Sequence, residues 1–177
     1  MSDTKVHVEH VEAFLESFGK VSPVFQRKAS SHFEDNGIDP YGDKEWVSQD
    51  AVRSAVAALA EDAGSATMLE AGKSVGEGIP AEASEPTAVL QTLNETHKAA
   101  FRDSQEDLPA GEFRWSEDGG SLRVSATTNW PYGDSFPHGS EFTSGILSAV
   151  LSTARPSPEI TEVSADSGEA IAFEADL

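Results

Sequence analysis

Phe142-Thr143-Ser144-Gly145-Ile146-Leu147-Ser148-Ala149-Val150-Leu151 has apolar residues at spacings of four, one, three and one, the stripe of an amphipathic helix. The helix is expected over Phe142 to Thr153. Behind it stand Glu159-Ile160-Thr161-Glu162-Val163 and Gly168-Glu169-Ala170-Ile171-Ala172-Phe173-Glu174, short runs of strand composition around Asp166-Ser167-Gly168. They predict a strand over Glu159 to Val163 and another over Ala170 to Glu174, joined by a tight turn. A helix that feeds directly into a hairpin has to lie across the sheet that the hairpin belongs to.

Upstream, the pattern also has a period of two after Pro109. Glu112 to Trp115 and Leu122 to Thr127 flank Asp118-Gly119-Gly120, a hairpin signature because both turn positions tolerate positive φ. Asn129 to Gly139, rich in Pro and Gly, reads as an irregular loop. Before Pro109 the period is helical. Val8, Val11, Phe14, Leu15 and Phe18 share a face, with Gly19 as a stop; Ser22-Pro23 caps a second helix that runs to Asn36-Gly37. Asp39 to Lys44 is a loop, and Ser48 caps a helix ending at Gly64. Thr67 to Ile79 is a fourth helix, whose Gly72 and Gly76 lie four apart and permit close approach to a neighbour. A fifth begins at Ser84 to Pro86 and carries Val89, Leu90, Leu93, His97 and Phe101. The expected fold is α+β, with N-terminal helices packed on a C-terminal antiparallel sheet built as β-hairpin, crossing helix, β-hairpin. It forms a single domain over 1–177, mainly helical in 1–108 and strand-rich in 109–177.

The 177 residues include 12 Lys and Arg against 31 Asp and Glu, a formal net charge of −19. Such a surface repels phosphate backbones, and the basic residues are scattered singly, so nucleic acid is excluded as a partner. No apolar run reaches 18 residues, so no membrane span is expected. The N-terminus shows no secretory signal, which points to the cytoplasm. Cysteine is absent, which removes disulfides, thiolate catalysis and Cys-based zinc sites. Abundant carboxylates with few Lys suit a halophilic cytoplasm, where charge is screened within about 3 Å at molar salt. Folding is therefore expected to require salt. Melting followed by circular dichroism should rise steeply between 0.1 M and multimolar KCl, and an unchanged midpoint would remove the halophilic reading.

Several of these stretches resemble the H-NOX domains (the haem-nitric-oxide-binding group), the 4-vinyl reductase-type ligand-binding domains and their TRAPP-like relatives. The resemblance rests on Phe142 to Leu151 and the two strands after it. It rests also on Met68-Leu69-Glu70-Ala71-Gly72-Lys73-Ser74-Val75-Gly76, similar to the family's central Gly-bearing helix, and on Leu90 to Phe113. It covers about Val6 to Glu174. It implies an α+β ligand-binding fold, a sensor that acts through an unidentified protein partner, and a capacity to form a homodimer. The family's haem chemistry is not carried over. Thr67 to Ile79 contains no His, and Arg123 to Thr128 lacks the Tyr-x-Ser-x-Arg motif that holds haem propionates. The Cys residues that relatives use for zinc are here Ser, Gly or Ala. No cofactor and no metal are expected.

His7 and His10, three apart beside Glu9 and Glu12, offer imidazoles for a metal, but read as a solvated N-terminal turn. His97 lies in an apolar stripe and is either a partly buried, hydrogen-bonded His or an axial ligand for haem, which would make the chain a haem-based gas sensor. Gly72-Lys73-Ser74 ends like a phosphate loop but lacks the earlier Gly and continues a helix. Asp134 stands four before His138, yet Ser135 and Ser140 lack a nucleophile-elbow context, so no catalytic residue is assigned. Trp130 to Gly139 concentrates aromatics and either walls a pocket, offers a contact surface or covers the core. The reading is a non-enzymatic sensor or ligand-binding module of a halophilic archaeon that binds a small apolar molecule. Its pocket is expected between the helices and the sheet, lined by Met68, Leu69, Leu93, His97, Phe101, Phe113, Trp115, Trp130 and Phe136. The alternative is a structural or interaction protein without a ligand.

Overall fold

The computed structural model describes residues 4–80, 83–102, 111–133 and 136–177. Helix α1 (Val8–Val21) buries Val11, Phe14, Leu15 and Phe18, the face that the spacing marks. It passes through Gly19 and stops at Ser22, because Ser22 precedes Pro23 and is held extended at φ −165°, ψ 137°. The Ser22 hydroxyl accepts the Val24 N–H at 3.2 Å and opens α2 (Pro23–Asp35). Helix α3 (Gln49–Ala63) ends at Gly64, whose φ of +77° turns the chain directly into α4 (Ser65–Glu77). Helix α5 (Pro86–Ala99) follows.

Three very short strands join segments far apart in sequence. β1 (Lys5–His7) lies between β2 (Trp46–Ser48) and β3 (Phe101–Arg102), antiparallel to both. No periodicity marks them, because two or three residues are too few to display one. β1 runs straight into α1, so this sheet fixes where α1 begins.

The second half follows the expected order. β4 (Phe113–Asp118) and β5 (Ser121–Thr127) form a hairpin turned by Gly119 at φ +59° and Gly120 at φ +98°. After α6 (Gly139–Ser152) come β6 (Glu159–Val163) and β7 (Glu169–Asp176). The sheet order is β4-β5-β7-β6, antiparallel throughout. Leu122, Val124 and Ala126 alternate inward on β5, as do Ile171, Phe173 and Ala175 on β7, and both rows are buried. On the outer side the Arg123 guanidinium donates to both Glu169 carboxylate oxygens, at 3.0 and 2.9 Å. That fork holds the Glu169 carboxyl down at about 2.

Helix α6 crosses the sheet and packs on α4 with the backbones nearly touching. A Cβ built on Gly72 would fall 2.1 Å from the Phe142 carbonyl oxygen, one on Gly76 2.6 Å from that of Ile146, and one on Gly145 2.3 Å from that of Leu69. The close approach expected from Gly72 and Gly76 is thus made against α6, with Gly145 reciprocating. Helix α6 begins three residues earlier than the apolar pattern indicates. Gly139 sits against the Tyr132 and Gly133 carbonyls, where a side chain would clash, and His138 adopts the left-handed conformation, φ +54°.

Candidate functional site

With α4 and α6 in contact, a space is left where both helices face α1 and α5. A cavity of about 190 Å3 is bounded there by Ala13, Phe14 and Ser17 of α1, Ser74 and Val75 of α4, and Leu93 and His97 of α5. Trp130 and Tyr132, with Phe142 and Ile146 of α6, form its floor. Ala13, Glu16, Lys20, Gly78 and Thr96, all exposed, mark its mouth.

The floor is a chain of rings. Trp130 lies 4.5 Å from Phe113, 4.6 Å from His97 and 5.6 Å from Tyr132, centroid to centroid. Tyr132 in turn stands 4.9 Å from Phe142 and 5.4 Å from Phe136. The Trp130 indole N–H donates to Thr143 Oγ1 at 3.0 Å, and that hydroxyl donates to the Tyr132 carbonyl at 3.2 Å. A fully buried Thr143 on α6 therefore pins two successive aromatics of the loop. Trp130, Tyr132 and Phe136 are 4 %, 4 % and 5 % exposed. They do not form an exposed contact surface; they cover the core, and two of them also face the cavity. Asp134 and Ser135 lie outside the described residues.

Helix α5 is positioned by Asn94. Its side chain donates to the Phe113 carbonyl at 2.9 Å and accepts the Phe113 N–H at 2.8 Å, so it pairs with β4 as a neighbouring strand would. This sets Leu93 and His97 over the floor. The His97 ring packs between Phe101 at 4.7 Å and Trp130 at 4.6 Å.

His10 departs from the sequence expectation. His7 and His10 do not act as a pair. His7 caps α1, its Nδ1 accepting the Glu9 N–H at 3.3 Å, and packs edge-on to Trp46 at 4.8 Å. His10, one turn further, is half-buried rather than on an open turn: it lines the cavity with its ring 5.5 Å from Phe101. Its Nε2 is sealed from water and has no hydrogen-bond partner. Burial alone pushes its pKa down to about 4, so the ring is neutral at pH 7. Ser74 Oγ, opposite on α4, is likewise buried and without a partner. An orphaned buried polar group costs about 1–3 kcal/mol, so two bordering one cavity are a notable concentration. Burial also raises the Tyr132 phenol above its ordinary range.

Of the residues expected to line a pocket, Leu93, His97 and Trp130 border this cavity. Met68 is fully buried in the core, and Leu69 is half-buried on α4. Phe101 stands behind His97, and Phe113 beneath Trp130. Trp115 is half-buried on β4, and Phe136 borders a shallow depression with Asp50, Arg53 and Pro137. His10, Phe14, Ser17, Ser74 and Tyr132 were missed. The available signal was the spacing of His10, Phe14 and Ser17, which places two polar residues on the buried stripe of α1. Among the described residues no three His, Asp or Glu side chains group as a metal site, and no helix is long and apolar enough to cross a membrane.

No family model matches the sequence, and no curated protein matches it. Solved structures do match. One, described as "Modulating Heme Redox Potential Through Protein-Induced Porphyrin Distortion", aligns at a TM-score of 0.65 and 10 % identity, over 97 % of this chain and 99 % of that one. An oxygen-binding H-NOX domain related to soluble guanylate cyclases aligns at 0.58 and 12 %, over 95 % and 93 %. The fold is that of the H-NOX domains. A mutant H-NOX from T. tengcongensis, at 0.58 and 12 % over 95 % of both chains, agrees in extent. The H-NOX-like fold thus spans both the helical part and the sheet, and the cavity lies inside it.

Proposed function

We propose that this chain is a non-enzymatic ligand-binding sensor module on an H-NOX-like fold. It acts in the cytoplasm of a halophilic archaeon, takes up a small, largely apolar molecule and passes the change in shape to a protein partner. The observation that carries this reading is the cavity between α1, α4 and α5. It is walled by Phe14, Leu93, Trp130, Tyr132, Phe142 and Ile146 and opens to solvent at one end. Among the described residues that line it, His10 Nε2 and Ser74 Oγ make no hydrogen bond to one another, which supports binding over catalysis.

Haem, which the described neighbours bring to mind, does not fit the residues present. His97 does face the cavity from a helix, as an axial imidazole would. Its ring, however, is already in tilted contact with both Phe101 and Trp130. The cavity of about 190 Å3 is below the roughly 300–1,000 Å3 that drug-sized ligands occupy, and a porphyrin is a large ligand. Arg123, the cation on the strand expected to meet haem propionates, is committed to Glu169. The reading is therefore haem-free.

Native mass spectrometry of protein purified from its own cell type tests the proposal. A bound small molecule released on unfolding is the expected result. A stoichiometric protein partner with an empty cavity would favour the interaction protein instead. A Soret band abolished by His97→Ala would replace both with a haem-based gas sensor.

A further inference from the structure

The charges at the mouth of the cavity say more about its occupant than its volume does. Among the described residues that border the space there is one carboxylate and one ammonium, Glu16 and Lys20, both exposed and both on α1. They stand four apart with the acidic residue first, so they share a face with Cβ atoms about 5–6 Å apart. That spacing and that order favour an ion pair along a helix. None is made here: among the described residues neither side chain has a hydrogen bond or an ion pair. Comparable contacts on the other helices do close, Lys73 holding Glu70 at 2.6 Å on α4 and Gln91 holding Glu95 at 3.0 Å on α5. Lys73 shares with Lys20 a shallow groove outside the mouth, so the neighbouring cation is taken and Lys20 is not.

Volume and charge together narrow the ligand. A dry apolar cavity of about 150 Å3 accommodates benzene, so the 190 Å3 here takes one ring and a methylene. Phe14, Leu93, Phe142 and Ile146 make the interior apolar. At the mouth, an ion of a single sign is attracted by one of Glu16 and Lys20 and repelled by the other. A zwitterion that carries both charges on one carbon meets both with the favourable sign. Because the two side chains are exposed, such a head keeps its water and no charge has to be buried. Exposed pairs are weak, each multiplying affinity by about two to five, so the apolar body supplies the binding and the head supplies the choice.

We propose that the ligand is a free α-amino acid with an apolar side chain of about benzyl size. The side chain enters the cavity, the ammonium group meets Glu16 and the carboxylate meets Lys20. This rests on the ligand-binding reading above.

Calorimetric titration of the full chain at fixed high KCl, with L-phenylalanine, phenethylamine, 3-phenylpropanoate and toluene as probes, tests this. Phenylalanine should bind about tenfold more tightly than each of the others, the product of two pairs of about threefold. Lys20→Gln should weaken phenylalanine and 3-phenylpropanoate by about threefold and strengthen phenethylamine. Glu16→Gln should give the mirror image, weakening phenylalanine and phenethylamine and strengthening 3-phenylpropanoate. Toluene should bind equally to all three proteins, which separates a role at the mouth from a general effect on the fold. If toluene or either single ion binds as tightly as phenylalanine, or the two variants move the single ions in the same direction, the amino-acid assignment falls while the cavity remains a ligand site. If none of the four binds, the ligand-binding reading of the cavity falls with it.

Discussion

Trp130→Ala is expected to lower stability by about 3–5 kcal/mol, the usual cost of deleting a buried aromatic. The ring is 4 % exposed, contacts His97, Phe113 and Tyr132, and donates to Thr143. Removing it takes away those contacts and leaves the Thr143 hydroxyl without its donor. The void also joins the existing cavity, which limits collapse of the surroundings and places the cost toward the upper end of that range. Urea denaturation at fixed high salt reads the change. A loss below about 1 kcal/mol would mean that the ring is not part of the core. Because Trp130 also floors the cavity, ligand capture should fall in the same variant.

Gly72→Ala should be as damaging for the opposite reason. The added methyl would fall 2.1 Å from the Phe142 carbonyl oxygen, a backbone atom that no rotamer change can move. Overpacking costs about 1–3 kcal/mol where side chains yield; here α4 and α6 must separate, so a loss of at least about 3 kcal/mol is expected. Gly78→Ala is the control. Gly78 ends the same helix with helical dihedrals, and its nearest contact would be 3.3 Å. Thermal melts should show a large drop for Gly72→Ala and almost none for Gly78→Ala. Equal effects would refute the backbone-contact account of the α4–α6 seam.

That seam was legible in the sequence. Gly72 and Gly76 four apart, and Gly145 within an apolar stripe, are what two tightly packed helices require. The hairpin at Asp118-Gly119-Gly120 and the final strands were legible because turn chemistry and period agree there. β1, β2 and β3 were not, since their pairing joins residues 6, 47 and 101 and no local pattern encodes it. The cavity was only partly legible. Apolar periodicity tells which residues turn inward but not which inward residues fail to meet. Leu93, His97 and Trp130 were expected at a pocket, whereas Met68, equally apolar, is filled-in core. His10 was misjudged because its spacing from His7 suggested a pair, while His7 lies outside the helix as its cap.

The three-stranded sheet has a bearing on the order in which the molecule assembles. Its central strand, Lys5–His7, is held on one side by Trp46–Ser48 and on the other by Phe101–Arg102. On a ribosome, where chains emerge from the N-terminus, the first helix waits for about a hundred residues before its start is secured on both sides. Contacts of such long sequence separation form late and slowly. That helix is one wall of the cavity, so the binding space is completed late, after the helices between the two anchoring strands have been made.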